Sequence, residues 1–210
     1  MKILALELST ARAGLAWSAD GATADFQSVE WPNDRKDSGP FFENLQKIVQ
    51  QFGLPERIIV GLGPGSYAGV RIAISTAVGL GAASAAAELI GYPSVCAISS
   101  QTPDYAVIGD ARRRSFFLAR VCNRTLVGDY ELLCETELKK RIEQLEPGLP
   151  VFSSDQFSQF QGRLEQRYPS AKILGQLGCE TEREFCRPPL EPVYLREANV
   201  TIPKPVGMIR

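Results

Sequence analysis

The sequence predicts an α/β protein built as two related lobes, and three observations carry that reading. Apolar runs of strand length, such as 3–8 and 57–61, alternate with stretches whose apolar residues fall at helical spacing. A glycine-rich corner at 61–71 joins one such run to a long Ala/Gly-rich segment, as where a strand enters a helix. The second half then restarts in the style of the first. Placing Glu7 over Asp110 brings Leu15 over Leu118, Ala16 over Ala119, and Asp20-Gly21 over Asn123-Arg124 without a gap. At 210 residues the chain can bury an ample core in one large domain or two small lobes. The division expected is a first lobe over 1–100 and a smaller second lobe with an extended tail over 101–210.

Residues 3–8 read as a buried strand, 14–19 as a second and 23–29 as a third, with Asp20-Gly21 as a hairpin turn. The charged, proline-bearing stretch 30–37 is a loop. Ser38 stands as an N-cap, with Pro40 in the first turn and Phe41, Phe42, Leu45, Ile48, Val49 and Phe52 at helical spacing before a Gly53 stop. A strand over 57–61 leads to a helix over 69–90, and 95–98 reads as a further strand. In the second half, strands are expected at 105–110 and 115–122, then a helix at 136–146 capped by Thr136. A strand at 150–154, a helix at 155–168 and a last short strand at 171–174 follow. From Arg187 the chain is proline-rich and extended, a composition suited to packing along a surface.

Composition removes many functions. Lys and Arg number 23 against 24 Asp and Glu, so a net charge of −1 gives no overall field toward nucleic acid or anionic membrane. There is no histidine, which excludes Ser-His-Asp triads, Cys-His dyads and histidine-bearing zinc sites. What remains is carboxylate chemistry with Mg²⁺, or a lysine or cysteine nucleophile, and neither shows a constellation. Five cysteines without C-x-x-C spacing fit reduced thiols, and no metal site is expected. Glu7 interrupts any would-be signal segment, and no apolar run reaches membrane-spanning length. The expectation is a cytoplasmic protein without a membrane partner.

The corner itself admits several readings. Gly63, Pro64, Gly65, Ser66 and Gly69 shape a turn in which the backbone can approach its neighbours closely, and the following helix start presents unpaired N–H groups. A phosphate-gripping P-loop needs a lysine, yet none occurs between Lys47 and Lys139. Gly63, Gly65 and Ala68 match G-x-G-x-x-A, but the acid expected about twenty positions later should end the next strand. Glu88 reads as helical, and 95–98 ends in serine. A tight strand-to-helix corner is the remaining reading.

The helix after it has two apolar sides. Val70, Ala73, Ile74, Ala77, Gly81 and Ser84 would cover a sheet, while Ile72, Ser75, Gly79, Ala83, Ala86 and Ile90 form an opposite face without Lys, Arg or Glu. A helix apolar all round is buried all round, and small residues admit another helix backbone, so this face reads either as covered by the chain's own lobes or as a protein interface.

Four segments together resemble the TsaB (YeaZ) family: 3–10, the block Gly63-Pro64-Gly65-Ser66-Tyr67-Ala68-Gly69-Val70-Arg71-Ile72, Asp110-Ala111-Arg112, and Pro192-Val193-Tyr194-Leu195-Arg196. They span nearly the whole chain in the family's order, and the G-P-G-S block is the distinctive one. The resemblance implies a two-lobed actin/Hsp70/sugar-kinase-like (ASKHA) α/β fold, with mixed sheets flanked by helices and catalytic power lost. It implies a scaffold that binds TsaD, the catalytic subunit placing threonylcarbamoyl on the adenosine next to the anticodon of tRNAs reading ANN codons. TsaE, an ATPase, joins that complex, and tRNA is met only through it. ATP and metal belong to those partners, with no cofactor expected here. The implied interface is Ile72, Ser75, Gly79, Ala83 and Ala86, and a homodimer through the same face is compatible.

Departures from the family pattern bear on chemistry. Glu7 stands where the family has Asp, shifting by a methylene any phosphate or Mg²⁺ contact made with Ser9, Thr10 and Asp110, the vestigial nucleotide positions. Arg35-Lys36-Asp37-Ser38 replaces R-E-H-S, and only 101–104 remains where a helix is normally inserted. The alternative function is an active or degenerate small-molecule kinase of this fold. The short chain, the lack of a second-lobe glycine pair and Glu7 speak against it.

Overall fold

The computed structural model describes residues 1–34, 37–84, 87–160 and 162–196. The chain opens with an antiparallel meander, β1 (Ile3–Glu7), β2 (Arg12–Ser18) and β3 (Gln27–Pro32). Helix α1 (Gly39–Phe52), strand β4 (Arg57–Gly61), helix α2 (Tyr67–Ala83) and strand β5 (Glu88–Tyr92) follow, β4 lying parallel to both β1 and β5. The second meander is β6 (Tyr105–Asp110), β7 (Ser115–Cys122) and β8 (Thr125–Cys134). Then come α3 (Glu135–Glu143), β9 (Val151–Ser153), β10 (Glu165–Gln166) and α4 (Ala171–Leu177). The sheets run β3-β2-β1-β4-β5 and β10-β9-β6-β7-β8, so each places its meander and its parallel strands in the same order.

This shared order is the duplication that the sequence match suggested, with one correction. Glu7 pairs with Gly14 in the first hairpin, whereas Asp110 pairs with Phe116 in the second. The second hairpin is therefore one residue shorter, and an ungapped match slips by one beyond the turn.

Alternation along β1 explains the layering. Leu4 and Leu6 face a core with Leu15, Trp17, Ile58 and Val60, closed by Phe41 and Leu45 of α1 and Ala73 and Ala77 of α2. Ile3 and Ala5 face the opposite core with Ile59 and Ile90, closed by Ala171, Leu174 and Leu177 of α4 and by Tyr105, Val107 and Phe117 of the second sheet. The 101–210 stretch thus does not stay in its own layer, because α4 returns to pack on β1, β2 and β4. On the far side of the second sheet, Leu138 and Ile142 of α3 and Phe160 cover Ile108, Phe116 and Leu118.

Several sequence expectations are corrected. The helix expected to reach Ile90 ends at Ala83, and Glu88–Tyr92 is β5, with Ile90 paired to Ile59 inside the sheet. Residues 95–98 are not a strand: Ser94–Ala97 form a 3₁₀ turn. The third strand lies at 27–32, so part of the expected loop is strand, and the expected Asp20-Gly21 hairpin turn is instead part of a longer connection over 19–26. The strand β8 was not anticipated. The expected helix over 155–168 is a single 3₁₀ turn, Ser158–Phe160, followed by β10, and the expected strand at 171–174 is α4. Cys134, not Thr136, precedes α3, with the Glu137 carboxylate accepting the Cys134 amide at 2.8 Å. Ser38 makes no side-chain cap, and Asp37 Oδ1 accepts the Gly39 amide instead.

Candidate functional site

The glycine-rich corner is built by close approach to the β1–β2 hairpin. A Cβ on Gly65 would lie 2.0 Å from the Ser9 carbonyl oxygen, and one on Gly69 would lie 2.2 Å from the Leu8 carbonyl oxygen. No side chain fits at either place. The Ser66 amide donates to the Ser9 carbonyl, and the Ser66 hydroxyl caps α2 by accepting the Gly69 amide at 3.3 Å. Gly63 takes φ +90, and the buried Ser94 holds it from the other side, its hydroxyl accepting the Gly63 amide at 3.0 Å. Pro64 is buried alongside. These contacts fix where α2 starts and how it is aimed.

From that start α2 presents the expected two sides. Val70, Ala73 and Ala77 are buried on the sheet, while Ser75, Gly79 and Ala83 are exposed and Ile72 is half-buried. Val78 is 52% exposed beside them, and a Cβ on Gly79 would meet nothing within 4 Å. Ala86 lies outside the described residues. On the same side of the sheet, Phe42 of α1 is exposed. At the other end of α2, the exposed Tyr67 ring lies 5.7 Å from that of Tyr194, and the Arg71 guanidinium lies over Tyr67 at 5.0 Å.

The four positions expected to mark a vestigial nucleotide site separate. Ser9, Thr10 and Asp110 line a cleft of about 370 Å³ between the two sheets, together with Pro64, Tyr67 and Arg112. Glu7 does not line it. Its side chain is fully buried, Oε1 accepts the Ser9 amide at 2.8 Å, and Oε2 has no hydrogen-bond partner. Oε2 lies instead over Gly61, where a Cβ would come within 1.9 Å of it. Burial raises the Glu7 pKa above the ordinary carboxylate value, against the opposing influence of Ser9 and Ser94. Asp110 is engaged as well, since its Oδ1 accepts the Arg112 amide at 2.7 Å and its Oδ2 accepts from the Arg112 guanidinium at 3.1 Å.

Glu88 is corrected in a way that bears on the dinucleotide reading. It begins β5 rather than lying in a helix, and its carboxylate pairs with Arg57 and Arg187. An acid that gripped a ribose would end the strand.

Sequence reasoning missed Ser94 and Ser115, whose partners Gly63 and Arg196 lie far away along the chain. The tail crosses the cleft mouth, with the Val193 amide donating to the Leu62 carbonyl at 2.8 Å and Arg196 donating to the Ser115 hydroxyl.

Two mixed sheets of one strand order, facing each other across a cleft, define a two-lobed α/β protein. No family model and no curated protein matches the chain. Among solved structures it is similar to YeaZ from Pseudomonas aeruginosa, with 20% identity, 92% of this chain and 99% of that one covered, and a TM-score of 0.68. A second structure, described as an uncharacterized protein with similarity to peptidase YeaZ from Pseudomonas aeruginosa, aligns at 20% identity. It covers 93% of this chain and 99% of its own, at a TM-score of 0.70. The chain therefore has the YeaZ fold. No helix among the described residues is long and apolar enough to cross a membrane.

Proposed function

We propose that this chain is a non-catalytic, cytoplasmic scaffold whose α2 face docks a TsaD-like catalytic subunit. The complex carries out threonylcarbamoylation of the adenosine next to the anticodon in ANN-decoding tRNAs. A TsaE-like ATPase joins through it, and tRNA is met only in the assembly. The observation that carries the reading is the exposed stripe Ser75, Gly79 and Ala83, with open space over Gly79 and Val78 beside it. Such a stripe admits a partner helix at backbone distance, and the likeness to YeaZ in fold agrees with it.

A kinase of this fold needs a carboxylate in the cleft. Glu7 is sealed behind the corner, Asp110 is held by Arg112, and Asp155, which also lines the cleft, accepts the Asp110 amide, an arrangement that favours the scaffold. Co-purification with the TsaD-like protein of the same organism, sized by light scattering, tests the reading. A one-to-one complex is expected. No complex, together with Mg²⁺-dependent ATP turnover by this chain alone, would replace it with the kinase.

A further inference from the structure

The stretch after α4 returns to both sheets, and the docking reading makes no use of it. Residues 178–196 run as a strap along the first sheet. The Arg57 guanidinium donates to the Gly178 carbonyl at 2.6 Å, and Cys186 and Gly91 exchange both backbone hydrogen bonds. Arg187 pairs with Glu88, Leu190 seats the strap in the core shared with α1 and α2, and the Val193 amide donates to the Leu62 carbonyl.

From this strap two arginines reach across to the second sheet. Arg183, its side chain 10% exposed, donates to the Thr125 hydroxyl at 2.7 Å and to the Asn123 carbonyl at 3.3 Å, and on its own side to the Tyr92 hydroxyl at 2.8 Å. Its charge is met by Glu180 at 2.7 Å, and one planar guanidinium serves all these acceptors, as an ammonium would not. Arg196 donates to the Ser115 hydroxyl. Ser115 begins β7 and Asn123 follows its end, so across this eight-residue strand the two ties stand roughly 25 Å apart.

We propose that the strap is a lock: it fixes the angle between the two sheets, and the cleft between them keeps one aperture. Two halves joined by short crossings are expected to move about a hinge. The crossings here are 98–104 outward and 167–170 on the return, and they lie side by side, with Ile98 bridged to Pro169 and the Ser170 amide donating to the Ala97 carbonyl. Adjacent crossings alone would leave rotation free. The hinge is pinned at the β7–β8 turn, where Arg124 donates to the Ile98 carbonyl at 2.9 Å and the Ser100 carbonyl at 3.2 Å, and Asp104 accepts the Asn123 amide at 2.6 Å. The Tyr92 hydroxyl donates to the Arg124 carbonyl at 3.1 Å, so β5, the strap and this turn meet at one point. Opening about that point must pull Ser115 away from Arg196 at the far end of β7. An enzyme that shuts over its substrate needs the motion that the strap blocks. The locked chain instead offers its outer faces, α2 among them, as one rigid body, whichever partner meets them.

Amide hydrogen exchange and small-angle X-ray scattering of the full chain test the lock. In the wild type the amides of Asn123, Arg124, Cys186 and Val193 should exchange slowly, and the scattering curve should be the same with and without Mg²⁺-ATP. Replacing both ties, Arg183→Gln with Arg196→Gln, should speed exchange at these amides about tenfold while β1 and β4 keep their protection, and should raise the radius of gyration. Thr125→Val removes one acceptor and no charge. It should speed exchange severalfold at Asn123 and Arg124 and leave Val193 unchanged, which keeps the test open if the double variant fails to fold. Exchange unaltered at these amides in the folded variants would overturn the lock, as would a wild-type curve that contracts on adding Mg²⁺-ATP. So would exchange that rises equally in β1 and β4, because that is general destabilisation and not release of a hinge.

Discussion

Replacing Gly79 with arginine separates folding from docking, because the structure gives the two effects opposite signs. Gly79 sits in the exposed interior of α2 with nothing within 4 Å of an added Cβ, so the side chain has room in the free protein. Arginine favours helix over glycine by about 0.7 kcal/mol, which should raise Tm by about 2 °C in a chain of this size. In a complex the same guanidinium would be driven between two helix backbones over Ser75 and Ala83, with no carboxylate on α2 to meet it. Desolvating an unpaired charge costs on the order of 3 kcal/mol or more. At about 1.4 kcal/mol per decade, affinity for the TsaD-like subunit should fall at least a hundredfold. Thermal unfolding of the free chain and light scattering of the mixed proteins read the two quantities. Gly79→Ala gives a slightly larger helix gain, about 1 kcal/mol, with a single methyl and should cost less than tenfold in affinity. An arginine variant that melts higher and still pairs with wild-type affinity would refute docking through this face.

Two further perturbations act on the corner. Gly69→Ala puts a methyl 2.2 Å from the Leu8 carbonyl oxygen, a backbone atom that cannot step aside, and should cost about 2 kcal/mol in urea unfolding while weakening partner binding by re-aiming α2. An unchanged midpoint would show that the contact gives way freely. Glu7→Gln should change the pH dependence of stability. The folded-state pKa of Glu7 is raised, so wild type and variant should be most alike below the ordinary carboxylate value of 4.5, where Glu7 is protonated in both states. As pH rises through the folded pKa, burying the ionised form should cost the wild type stability, and the variant should gain relative to it. Denaturant midpoints from pH 4.5 to 8.5 check this, and a constant difference would contradict it.

What the sequence made legible was periodic and local. The apolar spacing of α1, the corner, the two sides of α2 and the strands β1, β2, β6 and β7 could all be read from neighbouring residues. The errors lie where long-range pairing decides. The Ala-rich run through residue 87 continues helical composition, yet Glu88–Tyr92 is captured as a strand by parallel pairing with β4. Ala171–Leu177 is short and apolar, which suits a buried strand or helix equally, and packing against β1 and β2 selects the helix. At the site, Ser9 and Thr10 could be flagged through the resemblance of residues 3–10 to a known family. The Ser94 grip on Gly63 and the reach of Arg196 to Ser115 join residues far apart in sequence, so no window contains them.

Glu7, the position at which the sequence departs from the pattern of the family it resembles, acquires a structural partner in Gly61. The Glu7 carboxyl turns away from the cleft and occupies the space where a Cβ at position 61 would stand, 1.9 Å from Oε2 and 2.7 Å from Cδ. The longer side chain and the missing methyl are thus one arrangement. Gly61→Ala should destabilise the chain by about 2 kcal/mol, since β4 is paired on both sides and cannot retreat. Glu7→Asp withdraws the carboxyl by one methylene and should recover part of that loss. The recovery should be incomplete, because a Cβ at 61 also meets the Ser94 hydroxyl at 2.7 Å. A double-mutant cycle in urea should give a favourable coupling of about 1 kcal/mol between the two changes. Strict additivity would mean that the carboxyl does not rest over Gly61. Glu7 would then be free to face the cleft, and the case against a metal-dependent kinase would lose its main support.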